Sequence, residues 1–485
     1  MEDSLSKKVI KGGAWIFSLR MVEKSFGLIR LVVLARLLAP TDFGMIGIAL
    51  IGMSVLETFS QTGFQMALVH KNENIKTYLD TAWTVSVIRS IILFALLVFF
   101  AKHIAVFFHS PEAALVVRIA GLSILFQGFT NIGTIHFQKE LEFRKQFIFQ
   151  LGSTLSDFIV SVLLALILRS FWALVFGLLA GELAKCVLSY MLHPYRPRLR
   201  LDLDKAKELF SFGKWVSISA MLGFLLSQGD GLLVGKLLGV AALGFYQMAY
   251  KISNMPATEV AHTISNVTFP AYSKMQDNLP RLREAYLRVL QLTAFLSFPI
   301  AALIFVLARD FTGIFLGEKW MSMVPAMQVL VFAGLFRSIA ATSGYIFYAV
   351  GRPGTDTKWQ IVRFFVFAIL IYPFAVEGGI TGVAVAVLLS IAVSTIGFSL
   401  SAIKVTECSA KSFGRIIIIP LINGAAVLLL ISGLKMTMDG GLWSFIICAC
   451  TGVAVYLAMT QLSDRFFNYM MYPAIKENFK ILRGV

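Results

Sequence analysis

The sequence predicts an all-α integral membrane protein with fourteen transmembrane helices, and three observations lead there. Of its 485 residues 58% are apolar and only 14% charged. A soluble domain holds about 45–50% apolar and about 25% charged residues. The mean hydropathy is +0.79. The apolar residues also fall into runs of helical length with little between them, enough for roughly fourteen spans of about 20 residues each. This excludes a disordered chain, a secreted disulfide scaffold and an ordinary cytosolic enzyme.

Taken in order, the first span covers 14–38 and is the most charged. Arg20, Glu23, Lys24 and Arg30, with Gly27 among them, fall within one arc of about 120° at 100° per residue. That face cannot meet lipid. It either pairs internally through Glu23 or lines water. The next spans, 44–66, 80–102 and 114–134, carry Glu57, Arg89 and Arg118, the last near an edge from which it can snorkel. Spans 147–169 and 171–193 carry Asp157 and Glu182, the latter three residues from Lys185 and placed to pair with it.

After a basic loop come 212–236 with Asp230, 244–268 with Glu259, 285–308 with Pro299, and 325–349 with Arg337. The set closes with 357–376, holding Arg363 and Pro373, then 379–403, 415–434 with Pro420, and 442–461. Proline and glycine inside spans are tolerated because neighbouring helices satisfy the freed backbone groups. The N-terminal segment has no small-residue cleavage site after its apolar run and reads as a retained first helix.

Charge sets the orientation. Lys and Arg outnumber Asp and Glu by 43 to 27. With the N-terminus inside, the inner segments carry 26 of these cations and the outer segments 5. Such asymmetry over seven alternations implies an even number of spans and two cytoplasmic termini. The same excess in a soluble chain would point to nucleic acid, but no soluble basic domain is present.

The chain also repeats. At an offset of 200, Gly13, Trp15, Met21, Leu37, Leu38, Gly44 and Ala49 recur as Gly213, Trp215, Met221, Leu237, Leu238, Gly244 and Ala249. Six spans precede the 194–211 loop and six match them, so the repeat is parallel. The expected organisation is an N-lobe over 1–193, a cytoplasmic linker over 194–211, a C-lobe over 212–404, two further helices over 405–461 and a cytoplasmic tail over 462–485. Asp230 falls opposite Arg30 under the repeat, as a salt bridge in a cavity or as a gate between lobes.

A charge in the middle of a span costs about 2.5–3.5 kcal/mol unless it faces protein or water. Arg20, Lys24, Arg30, Arg89, Arg337 and Arg363 therefore read as lining a cationic cavity. Guanidinium groups in a low-dielectric wall suit phosphate or pyrophosphate. Glu23, Glu57, Asp157, Asp230 and Glu259 are candidates for gating or ion coupling. A cation exporter would want an acidic, aromatic cavity instead.

Enzyme signatures are missing from the sequence. The six histidines form no HExxH pair, and no glycine-rich phosphate loop occurs. Asp202 and Asp204 resemble a metal-binding DxD but open a short helix-like run, where capping explains them. Cys186, Cys408, Cys448 and Cys450 have no metal-ligand spacing. No catalytic residue, metal or cofactor is expected. The tail, alternating aromatic and basic residues, reads as an interfacial anchor.

The segments LARLLAPTDFG (34–44), QKELEFRKQ (138–146), GFYQMAYKISNMP (244–256), FPAYSKMQD (269–277), FLGEKWMSMVPAMQVL (315–330) and GLFRSIA (334–340) resemble the Wzx-type polysaccharide flippases. These belong to the multidrug/oligosaccharidyl-lipid/polysaccharide (MOP) superfamily. The resemblance implies two six-helix lobes in the V shape of the multidrug and toxin extrusion (MATE) transporters, with two added helices. It implies flipping of an undecaprenyl-pyrophosphate-linked oligosaccharide across the bacterial cytoplasmic membrane by alternating access. Membrane lipids, a polysaccharide polymerase and glycosyltransferases are the implied partners. It also places Arg337 and Asp230 where the family keeps these residue types. Two other readings stand beside it: a MATE-like multidrug or cation antiporter, and a membrane-embedded glycosyltransferase or polymerase.

Overall fold

A computed structural model describes residues 22–60, 76–139, 142–202, 223–255, 268, 272–467, 469 and 471. Among these residues the secondary structure is helical throughout. Nine helices among them are long and apolar enough to cross a membrane. The chain divides into two compact units, Met1–Gly244 and Phe245–Val485. The helix at 223–238, expected with the C-lobe, therefore clusters with the first unit.

In the first unit, α1 (22–37) is followed by α2 (Pro40–Phe59) and α3 (Lys76–Phe107). The start of α2 shows how the LLAPTDFG segment works. Pro40 is the first helical residue, where its missing N–H costs nothing. The Asp42 carboxylate accepts the Ala39 N–H at 2.8 Å and the Phe171 N–H at 3.0 Å, tying the helix start to the 169–171 turn.

The expected span 114–134 is not one continuous helix. It is built from α4 (Ala113–Ala120) and α5 (Leu122–Phe129), then a 3-10 turn at Ile132–Thr134 and α6 (Ile135–Lys139). Asn131 stabilises the break: its Oδ1 accepts the Gly133 N–H at 2.9 Å and its Nδ2 donates to the Tyr195 carbonyl at 2.6 Å. An antiparallel pair follows, α7 (Phe143–Leu168) and α8 (Trp172–Leu192), joined through Arg169 in the left-handed region at φ 47°.

The unit closes with α9 (223–238) and the start of α10 (Val240–Ser253). Here the internal repeat becomes a contact. A Cβ on Gly44 would lie 1.8 Å from the Val240 carbonyl oxygen, and one on Gly244 would lie 1.9 Å from that of Pro40. Pro40 and Val240 stand 200 residues apart, as do the two glycines. The contact is therefore reciprocal, and only a residue without a Cβ fits on either side.

In the second unit, α11 (Leu279–Phe311) and α12 (Val324–Ala349) are joined through residues 312–323, with Gly317 at φ 100° and Trp320 fully buried. The helical segment α13 (Pro353–Thr406) is 54 residues long, roughly 80 Å at 1.5 Å per residue, far beyond a bilayer core of about 30 Å. It folds back at Gly379, whose φ of 54° and ψ of −140° belong to glycine. A Cβ on Gly382 would sit 1.8 Å from the Phe374 carbonyl oxygen, so the two limbs start in close contact. The limbs match the separate expected spans 357–376 and 379–403. The last elements are α14 (Ala410–Thr437) and α15 (Leu442–Phe467). The core of this unit runs through Tyr286, Leu290, Phe298, Ile346, Phe347, Val427 and Tyr456. Large apolar side chains such as Ile167, Leu429 and Trp443 point outward, as a lipid solvent permits.

Candidate translocation residues

Within each compact unit, the described charged side chains expected inside spans have distinct local partners. On α1, Glu23 is half-buried and Lys24 exposed, and Arg30 lies further along the helix. The Arg30 Nη2 donates to Asp157 Oδ1 at 2.7 Å and its Nε to Ser161 Oγ at 3.1 Å. Asp157 and Ser161 sit four residues apart on α7, on one face of that helix. Each member of the ion pair keeps about a quarter of its side chain accessible, at 25% and 26%. Phe26 stacks edge-on against Phe158 one turn away, at 5.5 Å between ring centres. Room for the carboxylate comes from α8: a Cβ on Gly177 would lie 2.7 Å from Asp157 Oδ1, and one on Gly181 3.1 Å from Asp157 Cβ. Small residues four apart let the helices approach until a charge fits between them.

Arg89 on α3 serves the end of α2. Its Nε donates to the Ser60 carbonyl at 2.9 Å and to Ser60 Oγ at 3.0 Å, and its Nη2 to the Glu57 carbonyl at 2.9 Å. The last carbonyls of a helix lack partners within it, and a cation there also meets the negative end of the helix dipole. The Glu57 carboxylate lies in the electrostatic field of both Arg89 and Glu182, and its Oε1 is buried without a hydrogen bond. Glu182 pairs with Lys185 at 3.2 Å, as their spacing predicts.

In the second unit, Arg337 on α12 is half-buried. Its Nη1 donates to Tyr250 Oη at 2.8 Å and to Asn254 Oδ1, and its guanidinium carbon lies 5.2 Å from the centre of the Tyr250 ring. Tyr250 and Asn254 are one turn apart along the α10 stretch. All these partners are neutral. Among the described residues no carboxylate forms an ion pair with Arg337, so its full charge stays available to an anion.

Arg363 is half-buried on the first limb of α13. Asp230 is buried on α9, with Oδ1 accepting the Gly231 N–H at 2.8 Å. Arg20 and Glu259 lie outside the described residues. Among the described residues no group of three His, Cys, Asp or Glu side chains is placed to hold a metal.

The structure brings Arg30 together with Asp157, a pairing the offset-200 comparison did not select, since it set Arg30 opposite Asp230. Ser60 and Ser161 in the first unit, and Tyr250 and Asn254 in the second, are partners that sequence reasoning missed. Asn254 and Tyr250 carried one available signal: they stand four apart within the same GFYQMAYKISNMP segment.

Comparison with known proteins gives this arrangement its context. The family described as polysaccharide biosynthesis protein matches residues 33–325, and the chain belongs to it. The lipopolysaccharide biosynthesis protein WzxC of Escherichia coli (strain K12) is 26% identical over 399 residues, covering 81% of this chain and 80% of that protein. The teichuronic acid biosynthesis protein TuaB of Bacillus subtilis (strain 168) is 24% identical over 483 residues, 99% of each chain. The succinoglycan biosynthesis transport protein ExoT of Rhizobium meliloti (strain 1021) is 24% identical over 398 residues, covering 81% of this chain and 80% of that one. Among solved structures, the lipid II flippase MurJ in an inward-closed conformation superposes with a TM-score of 0.74 at 17% identity, covering 94% of this chain and 99% of that one. An inward-facing MATE multidrug transporter of the MOP superfamily gives 0.61 at 15% identity, covering 80% and 96%. The fold is therefore that of MOP-superfamily flippases and transporters, and the chain is a multi-pass membrane protein.

Proposed function

We propose that this protein flips an undecaprenyl-pyrophosphate-linked oligosaccharide repeat unit from the cytoplasmic to the outer leaflet of the bacterial cytoplasmic membrane, for polysaccharide export. The observation that carries the reading is Arg337, a guanidinium at span depth held by neutral partners and left with its charge. It stands in a chain whose full-length relative is named for teichuronic acid biosynthesis. A charge of this kind is costly in a membrane unless an anion or water meets it. The pyrophosphate head group supplies the anion, and a guanidinium fork binds it with two parallel hydrogen bonds.

The proposal includes fourteen crossings with both termini cytoplasmic, arranged as two six-helix repeats (1–193 and 212–404), a linker at 194–211 and two further helices to residue 461. The head-group site faces one side of the membrane at a time. Arg20, Lys24, Arg89 and Arg363 meet the head group on entry, and Arg30 and Arg337 on exit. Glu57, with its unbonded buried oxygen, is the strongest of the acids for ion coupling; Glu23, Asp157, Asp230 and Glu259 are the others. Asp157 acts by releasing Arg30 when the head group competes for that guanidinium. Catalysis has no place in this scheme. Glycosyltransferases make the cargo and a polymerase consumes it.

The direct test is deletion of the gene followed by extraction of lipid-linked sugars. Undecaprenyl-linked repeat units should accumulate with their sugars facing the cytoplasm, and the wild-type gene should clear them. Normal polymer output with no such accumulation would refute the reading. Loss of drug resistance with unchanged export would establish the cation-antiporter alternative in its place.

A further inference from the structure

The stretch 193–202, which follows α8, runs without helix along the Lys76 end of α3 and is fastened there backbone-first. The Arg198 N–H donates to Asp80 Oδ1 at 3.0 Å, the Arg200 N–H to Thr84 Oγ1 at 3.0 Å and the Asp202 N–H to Thr81 Oγ1 at 3.3 Å. The Tyr195 hydroxyl donates to Asp80, and the Tyr195 N–H to His193 Nδ1 at 3.2 Å. Burial, then the hydrogen bond and charge of Asp80, push the Tyr195 phenol well above its ordinary range, so this fastening holds through physiological pH. Alternate N–H groups bonded to one side are the mark of an extended strand, whose side chains point to two faces in turn.

The two faces differ in chemistry. Arg196, Arg198 and Arg200 share one face and are all exposed. Alternate residues of a strand are about 6.6–6.8 Å apart, so the three cations form a ladder with that step. The other face carries Pro197 and then Leu199 and Leu201, which are 75% and 47% exposed. Arg196 is oriented by the His193 and Tyr195 carbonyls and by the Tyr190 ring. The side chains of Arg198 and Arg200 form no ion pair among the described residues. Met191, 74% exposed at the end of α8, continues the apolar side toward the bilayer.

We infer that this strap is a binding site for anionic phospholipid head groups of the inner leaflet, with Arg198 and Arg200 gripping phosphates and Leu199 and Leu201 seated among the upper acyl chains. An exposed apolar face beside a cationic one suits the membrane surface and no aqueous partner. Because the backbone is already held by Asp80, Thr81 and Thr84, little chain freedom is lost when lipid binds. The site is separate from the residues assigned above to the cargo, and its test requires no transport.

Full-length protein in dodecyl maltoside is titrated with dioleoyl-phosphatidylglycerol or with dioleoyl-phosphatidylcholine, and bound lipid is counted by native mass spectrometry. Wild type should retain phosphatidylglycerol in preference to phosphatidylcholine. The double variant R198Q/R200Q should bind phosphatidylglycerol about tenfold or more weakly, and R198K/R200K should recover most of the loss. A control removing two exposed cations elsewhere, R281Q/R288Q, should bind as wild type. Unchanged phosphatidylglycerol binding in R198Q/R200Q, or an equal loss in the control, would overturn the site. Displacement of the lipid by millimolar inorganic pyrophosphate would overturn the lipid assignment and make the ladder a free-phosphate site. Both substituted side chains are exposed, so a folded variant is expected, checked by size-exclusion elution and circular dichroism.

Discussion

Arg337 and Arg30 illustrate two uses of the same side chain in a membrane. Around Arg337 the acceptors are a phenol and an amide, which satisfy hydrogen bonds and leave the charge. Around Arg30 the acceptor is a carboxylate, which removes it. Arg337→Ala should therefore abolish export while leaving a protein that inserts and elutes normally; lipid-linked sugar accumulation is the measurement. Tyr250→Phe, which keeps the ring under the guanidinium and deletes one acceptor, should reduce export severalfold without abolishing it. For the Arg30–Asp157 pair, either Arg30→Ala or Asp157→Ala leaves a half-buried partner unmatched, at a cost of about 1–3 kcal/mol. The double variant should lose less than the two singles added, as thermal unfolding in detergent would show. The candidate charges were legible in the sequence because ionisable residues stand out against apolar runs. Their partners were not. Arg89 caps backbone carbonyls, which every residue owns, and Asp157 lies 127 residues from Arg30, so no spacing rule connects them.

For the helices, the apolar periodicity located the segments well and their interruptions poorly. The expected span at 114–134 breaks where Asn131 takes over backbone bonds from the helix, an event decided by the distant Tyr195 carbonyl. The turn at Gly379 falls between the expected spans 357–376 and 379–403, which the apolar runs had set apart. At Gly379 a side chain would be forced into a conformation that costs about 1–3 kcal/mol. Gly379→Ala should accordingly lower the unfolding temperature of the detergent-solubilised protein, whereas Gly378→Ala, where a Cβ meets nothing within 4 Å, should be milder.

Over the whole molecule, composition already implied a many-span protein, and nine of the described helices are long and apolar enough to cross a membrane. The offset of 200 read from the sequence reappears as a local contact within the first unit, where Gly44 and Gly244 keep register. What no composition conveys is that Met1–Gly244 forms one compact unit and Phe245–Val485 the other, since the cut depends on which neighbours a helix packs against. A consequence of the proposed cargo applies at this scale. Moving a pyrophosphate outward is assisted by an inside-negative potential of about 2.3 kcal/mol per charge per 100 mV, for any part of the field crossed. Collapsing the potential with valinomycin and potassium should slow flipping in right-side-out vesicles. An unaltered rate would assign the work to a coupled ion.

The mutual fit of Gly44 and Gly244 ties two distant stretches of the gene into one hereditary constraint. Neither codon can drift toward a larger residue unless the opposite helix start retreats. A cell crippled by Gly44→Ala should thus yield second-site revertants around Val240, and one carrying Gly244→Ala should yield them around Pro40.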